Sequence, residues 1–183
     1  MALKSTIFKA DLQVSDLDRG HFAEYALTLA RHPSENDQRM MVRLLAFALF
    51  ASEDLSFGKG LSSDDEPALV ETDPSGVVRT WIEVGTPDET RIRKGANKAD
   101  RAIVLSYGAR AVDVWWAENS AALARYDNLT VLRLTAEDAQ ALSGLAERGM
   151  KVDCTIQEGT VWIAKGDTSL ELRPEVLKSG AGS

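Results

Sequence analysis

Between residues 61 and 90 the chain carries eight acidic side chains and one basic one. The next eleven residues, 91 to 101, reverse this with five basic side chains and one acidic. Two chemistries suit that juxtaposition. Carboxylates gathered at one place, here drawn from Asp64, Asp65, Glu66 and Glu83, hold a cation. Cations gathered beside them, Arg91, Lys94, Lys98 and Arg101, hold a phosphate. The competing reading is two solvated surfaces, which is what most charge runs are.

The rest of the chain sets bounds on this. Its 183 residues are 44% hydrophobic and 27% charged, enough for a packed core and for a single domain spanning residues 1–183. The net charge of −7 argues against a surface that is cationic throughout. The lone Cys154 excludes an internal disulfide framework and a thiolate zinc cluster. The longest apolar run, Leu44 to Ala51, is eight residues, whereas a membrane-spanning helix needs about 20. No secretory signal opens the sequence, so a soluble cytoplasmic protein is expected, with no membrane partner and a monomer favoured.

Hydrophobic periodicity predicts the elements that must position the charged residues. Ser5 to Val14 alternates, with Phe8, Ala10, Leu12 and Val14 on one face, as a strand does. After a turn over 15–20, Phe22 to Arg31 fits either period and is read as the second strand of a hairpin. Ser34 is placed as a helix N-cap with Glu35 and Asp37 in the first turn. The helix that follows is wide in its apolar surface and runs to about Ser52. Gly58, Gly60, Pro67, Pro74 and Gly76 break the next segment into short strands: Leu55–Phe57, Ala68–Thr72 and Val77–Val84. Thr86-Pro87-Asp88-Glu89 reads as a capping box opening a helix to about Ala99. On it Arg91, Lys94 and Lys98 share one stripe, while Ile92, Ala96 and Ala99 share another. Ala102–Tyr107 reads as a strand, Val112–Leu123 as a helix, Leu129–Leu134 as a strand, and Thr135 caps a helix ending near Gly149. Two or three antiparallel strands follow, turning at Glu158-Gly159 and Gly166-Asp167, and the chain frays from Lys178.

Residues 34–107 therefore run helix, strand, strand, strand, helix, strand. Several strings within and around them resemble the YaeQ family of bacterial proteins: Arg31-His32-Pro33-Ser34-Glu35, Arg39 to Ala46, Gly60 to Pro67, Trp81-Ile82-Glu83-Val84-Gly85-Thr86-Pro87-Asp88-Glu89, and Val114-Trp115-Trp116. The resemblance extends from Met1 to the Thr155–Gly159 segment. It implies an α/β fold with a PD-(D/E)XK nuclease-like core over about 34–107, an N-terminal β-hairpin and a C-terminal antiparallel meander.

In that superfamily two strand carboxylates hold a divalent metal, and a lysine two residues after the second acid stabilises developing negative charge. The resemblance implies Glu83 as the second acid and Asp65 as its partner, with Mg2+ or Mn2+ as the metal. Asp64 and Glu66 compete with Asp65, because one register slip exchanges the side chain that faces Glu83. Gly85 stands where the lysine is expected. Lys94, on the following helix, is the candidate replacement, with Arg91 and Lys98 as secondary candidates. The competing view of Lys94 is a helix residue that only neutralises the acidic loop. Glu35 is an outer carboxylate or a dipole-stabilising residue.

Other residues carry less. His21 and His32 have no ligand spacing, Trp115 and Trp116 read as a buried anchor, and Cys154 as a core residue. Two functions follow. One is a metal-dependent phosphodiester hydrolase acting on nucleic acid through the Arg91–Arg101 patch. The alternative is a catalytically inactive nuclease-fold module that binds or regulates.

Overall fold

The computed structural model of the protein describes residues 4–59 and 66–181. Eleven strands form two sheets among these residues. The first strand, β1 (Thr6–Asp16), pairs antiparallel with β2 (His21–Arg31) along its whole length. The predicted alternation holds, with Phe8, Ala10, Leu12 and Val14 all buried. The C-terminal strands β8 (Gly149–Gln157), β9 (Thr160–Lys165) and β10 (Thr168–Leu172) form an antiparallel meander. The meander is not a separate appendage. Strand β8 lies parallel to β1, from Lys9↔Gly149 to Asp16↔Ile156, so hairpin and meander make one five-stranded sheet ordered β10-β9-β8-β1-β2.

The second sheet is ordered β11-β7-β6-β5-β4-β3. It contains β3 (Leu55–Phe57), β4 (Leu69–Thr72), β5 (Val78–Val84), β6 (Arg101–Tyr107), β7 (Leu129–Leu134) and β11 (Glu175–Lys178). Strands β5, β6 and β7 are parallel, and the others are antiparallel to their neighbours. The predicted fraying from Lys178 is not seen. Lys178 Nζ donates to the carbonyls of Tyr126 and Leu129 at 2.7 and 3.1 Å, and the Ala181 N–H reaches the Asp127 carbonyl at 2.7 Å.

Helix α1 (Asp37–Leu49) is apolar nearly all round, and every residue from Met40 to Ala48 is buried. Such a helix must be covered on all sides. One continuous core joins it to Leu12 and Val152 of the first sheet, to Ile82 and Leu105 of the second, and to Leu142 of α4 (Ala136–Ser143). On the far face of the second sheet, Ala102, Val104 and Val131 pack against Ile92 of α2 (Glu89–Lys98) and Val112 and Trp115 of α3 (Arg110–Leu123). Each such large apolar side chain contributes about 1.5–3 kcal/mol by burial.

Helix starts differ from expectation. Asn36, not Ser34, caps α1, its Oδ1 accepting from the Arg39 N–H at 2.8 Å. Ser34 is engaged with His32 instead, through its Oγ and N–H. Asp88, not Thr86, caps α2 by accepting from the Arg91 N–H at 2.9 Å, and the Pro87 carbonyl, outside the helix, accepts from Trp115 Nε1. Helix α4 stops at Ser143 rather than near Gly149, which opens β8. Among the described residues, no helix is long and apolar enough to cross a membrane.

Candidate functional site

Strand β5 alternates between the two faces of its sheet. Ile82 and Val84 enter the α1 core, so Trp81 and Glu83 point toward α2. Glu83 is only 4% exposed. Its Oε1 accepts from Trp81 Nε1 at 3.2 Å and from Arg91 Nε at 3.3 Å, and its Oε2 from Arg91 Nη2 at 3.4 Å. Burial pushes the carboxyl above its ordinary range, against the opposing pull of Arg91, Trp81 and Arg39. Arg91 is placed there by its cap, since the bond from its N–H to Asp88 starts the helix three residues earlier. Gly95 completes the arrangement. A Cβ there would lie 2.4 Å from Trp81 Cδ1, so only glycine lets α2 settle onto the indole.

Asp64 and Asp65 lie outside the described residues. Glu66, their neighbour and competitor, turns its carboxylate to the Lys59 N–H at 2.8 Å. Its carbonyl accepts from Arg91 Nη2 at 2.9 Å, so Arg91 ties the end of the acidic loop to Glu83. Lys94 is half-buried one turn beyond Arg91 on α2. Lys98 places its Nζ 5.9 Å from the centre of the Trp81 ring. Arg101 does not extend the stripe. It opens β6, donates to Thr80 Oγ1 at 2.9 Å and stacks over Phe50 at the C-terminal end of α1.

Gly85 has φ +91, and its N–H reaches the Leu105 carbonyl at 2.9 Å. A lysine at this position would have to adopt backbone that side chains with a Cβ avoid. The chain bend at the end of β5 thus favours glycine over any residue with a Cβ at position 85.

Glu35 is neither in the first turn of α1 nor exposed. It precedes the Asn36 cap and is buried under two arginines. Arg43 grips it with both arms, Nη2 on Oε1 at 2.6 Å and Nε on Oε2 at 2.9 Å, and also donates to the Ala30 carbonyl. Arg39 Nη1 reaches Oε2 at 2.5 Å. Because Arg101 stacks on Phe50 at one end of α1, the other end of the helix, with Glu35 and Arg39, lies at the far ends of β5 and β6. Tyr107, which ends β6, lies in the field of both Arg39 and Glu35, and burial pushes its hydroxyl up. Its ring is 3.9 Å from where a Cβ on Gly85 would stand.

The strand ends therefore gather Glu83, Arg91, Gly85, Tyr107, Arg39 and Glu35. Arg39 and Tyr107 are members that sequence reading missed, as is Arg43, which holds Glu35 from within α1. The available signal was a pair of arginines four apart inside an otherwise apolar helix, where a buried charge demands a partner. Among the described residues, no three His, Cys, Asp or Glu side chains cluster as a metal cage. Glu83 is held by Trp81 and Arg91 at 3.1 to 3.4 Å, and Glu35 by its arginines at 2.5 to 2.9 Å.

The family model for the YaeQ protein matches residues 1–174. The uncharacterised YaeQ protein of Escherichia coli (strain K12) is 44% identical over 173 residues, covering 94% of this chain and 95% of that one. The uncharacterised YaeQ protein of Salmonella typhi is also 44% identical, over 174 residues, covering 94% and 96%. The crystal structure of the YaeQ protein from Xanthomonas axonopodis pv. citri is similar with a TM-score of 0.93 at 47% identity, covering 96% of this chain and 99% of that chain. That of the YaeQ protein from Pseudomonas syringae has a TM-score of 0.92 at 37% identity, covering 97% and 98%.

Proposed function

The chain belongs to the YaeQ family, and from that premise we propose that it is a variant of the PD-(D/E)XK nuclease fold that hydrolyses phosphodiester bonds in nucleic acid with a divalent metal. The observation that carries this reading is the buried Glu83 at the end of a parallel strand, facing a cationic helix. The element order from α1 through three strands, α2 and β6 supports it. The donor chemistry fits a hard cation, Mg2+ or Mn2+. Glu83 offers two carboxylate oxygens, held by Trp81 and Arg91 at 3.1 to 3.4 Å and so less tightly than Glu35 is held by Arg43 at 2.6 and 2.9 Å.

In this reading Glu83 and Asp65 hold the metal, with Asp64 and Glu66 as alternatives to Asp65. When bound, the metal lowers the pKa of an attacking water and polarises the phosphate. Arg91 orients the Glu83 carboxylate and compensates its charge, and Trp81 fixes the same carboxylate from the other side. Lys94 supplies positive charge to the phosphoryl group, in place of the lysine that Gly85 replaces.

Calorimetric titration of Mn2+ and Mg2+ into wild type and Glu83→Ala tests the proposal, alongside cleavage of labelled DNA and RNA. Binding that the substitution abolishes is expected. Metal binding that survives Glu83→Ala, or none in wild type, removes the enzymatic reading. A second reading is favoured by a specific feature: Arg91 pairs with Glu83 and meets its charge from within the chain. That arrangement suits an inactive module that binds nucleic acid without turnover, and salt-dependent binding without cleavage distinguishes it.

A further inference from the structure

The Glu35 cluster holds one carboxylate and two guanidiniums. Arg43 alone satisfies the carboxylate, with two bonds and both side chains 2% exposed. Arg39 is a second cation on that carboxylate, and its field also reaches the buried Glu83. The adjacent Asp37 is paired with Arg31. Arg39 also sits in the first turn of α1, where the helix dipole opposes a cation.

Its donors are unequally used. Nη1 bonds Glu35, whereas Nε and Nη2 make no hydrogen bond among the described residues. No buried side-chain nitrogen among those residues lacks a partner, so these two nitrogens reach water. The side chain as a whole is 19% exposed. One arm is anchored and the planar fork is largely walled in, with one edge open. That edge belongs to the end of the molecule where β5 and β6 finish with Glu83, Gly85 and Tyr107. Arg91 occupies the matching position on α2: third residue of its helix, its N–H bonded to the cap, its guanidinium on a buried glutamate. Two helices thus bring an arginine each to the same strand ends.

We propose that Arg39 is a phosphate-contact residue of this site, its open Nε/Nη2 edge taking a non-bridging oxygen of the nucleic-acid backbone while Glu35 and Arg43 hold it in place. This rests on the phosphodiester reading of Glu83 and adds to it a named anchor for the strand. A planar fork matches phosphate oxygens in pairs, which a lysine ammonium does not.

The test measures binding of short fluorescent DNA and RNA strands across a salt series, in Ca2+ and in Mg2+, for wild type, Arg39→Gln and Arg39→Lys. Arg39→Gln should lose about tenfold or more in affinity, as for a charged hydrogen bond. Its log–log salt slope should fall by about one. A merely structural role would not move that slope. Arg39→Lys, which keeps charge and its reach to Glu35, should keep the slope and lose affinity severalfold. It decides the matter should Arg39→Gln fail to fold. Unchanged affinity in Arg39→Lys together with unchanged affinity and slope in a folded Arg39→Gln overturns the inference while leaving the Glu83 reading standing. So does wild-type affinity in Arg39→Lys when Arg39→Gln cannot be folded. Wild type that neither binds nor cleaves the strands in either metal overturns both.

Discussion

Arg43 and Glu35 form a closed two-bonded fork inside the protein, at 2.6 and 2.9 Å, with each side chain 2% exposed. Arg43 projects from the middle of the most buried helix, and Glu35 lies just outside its start. The pair thereby clamps the entry of the chain into α1, and a third bond from Arg43 holds the Ala30 carbonyl of β2. The clamp is costly to build and more costly to cut, since desolvation has already been spent on both ions.

Removing one partner leaves the other charge buried and alone. Glu35→Ala and Arg43→Ala are each expected to lose about 3–5 kcal/mol of stability by urea denaturation. The double variant Glu35→Ala with Arg43→Ala should lose clearly less than the two single losses combined. Strict additivity would show that the two side chains are not energetically paired.

Glu83 gives a pH prediction. Its carboxyl is raised in the folded state, so folding favours the protonated form. That contribution is complete below the ordinary value of 4.5 and is lost as pH rises through the folded value. Glu83→Gln never ionises and should gain on wild type in Tm as pH goes from 4 toward neutrality. A Tm difference that stays flat across this range would contradict the assigned direction.

Gly95→Ala should destabilise the protein although alanine is the better helix former by about 1 kcal/mol. The new methyl would stand within 2.7 Å of three Trp81 ring atoms. Overpacking of this kind costs about 1–3 kcal/mol. A change in tryptophan fluorescence should accompany the loss, because the indole must move off Glu83. Equal or greater stability would mean that α2 shifts freely.

Placing a lysine at position 85 by Gly85→Lys, as the proposed nuclease reading would invite, should not improve the site. The φ of +91 makes any residue with a Cβ strained there, at about 1–3 kcal/mol. Lower thermal stability and no gain in metal affinity by calorimetry are expected.

Cys154 faces the core from β8, and burial pushes its thiol up to about 12. Iodoacetamide at pH 8 should leave it unmodified in the folded protein and alkylate it promptly in denaturant, as read by mass spectrometry. Prompt labelling of the native chain would show that β8 opens readily.

Much of this architecture is legible locally. Phe8, Ala10, Leu12 and Val14 announce β1, and the Met40–Ala48 run announces a helix covered on all sides. What is not legible is what depends on distant partners. Nothing near Gly149 signals that β8 joins β1, because parallel pairing across the chain leaves no turn to read. Ser34 and Thr86 are good caps by type. Asn36 and Asp88 supply the capping oxygens because each helix begins two residues later than those types suggest. Glu83 was legible by resemblance, whereas its companions Arg39 and Arg43 were hidden in an apolar pattern that masks a charge's purpose. Arg101 is grouped by sequence with the Arg91–Arg101 basic patch, but the change from helix to strand at residues 99–101 turns it to the opposite face of the sheet.

The parallel pairing of β1 with β8 also bears on how the chain is made. β1 is synthesised first, yet one of its two neighbours begins at Gly149. Until the ribosome has delivered most of the protein, one rim of β1 has no strand beside it, and the apolar side of the hairpin has only part of its cover. Long-range pairing of this kind is slow, and an open strand rim meanwhile invites association with other chains. The first sheet of the nascent protein thus stays open until the residues from Gly149 onward have been made.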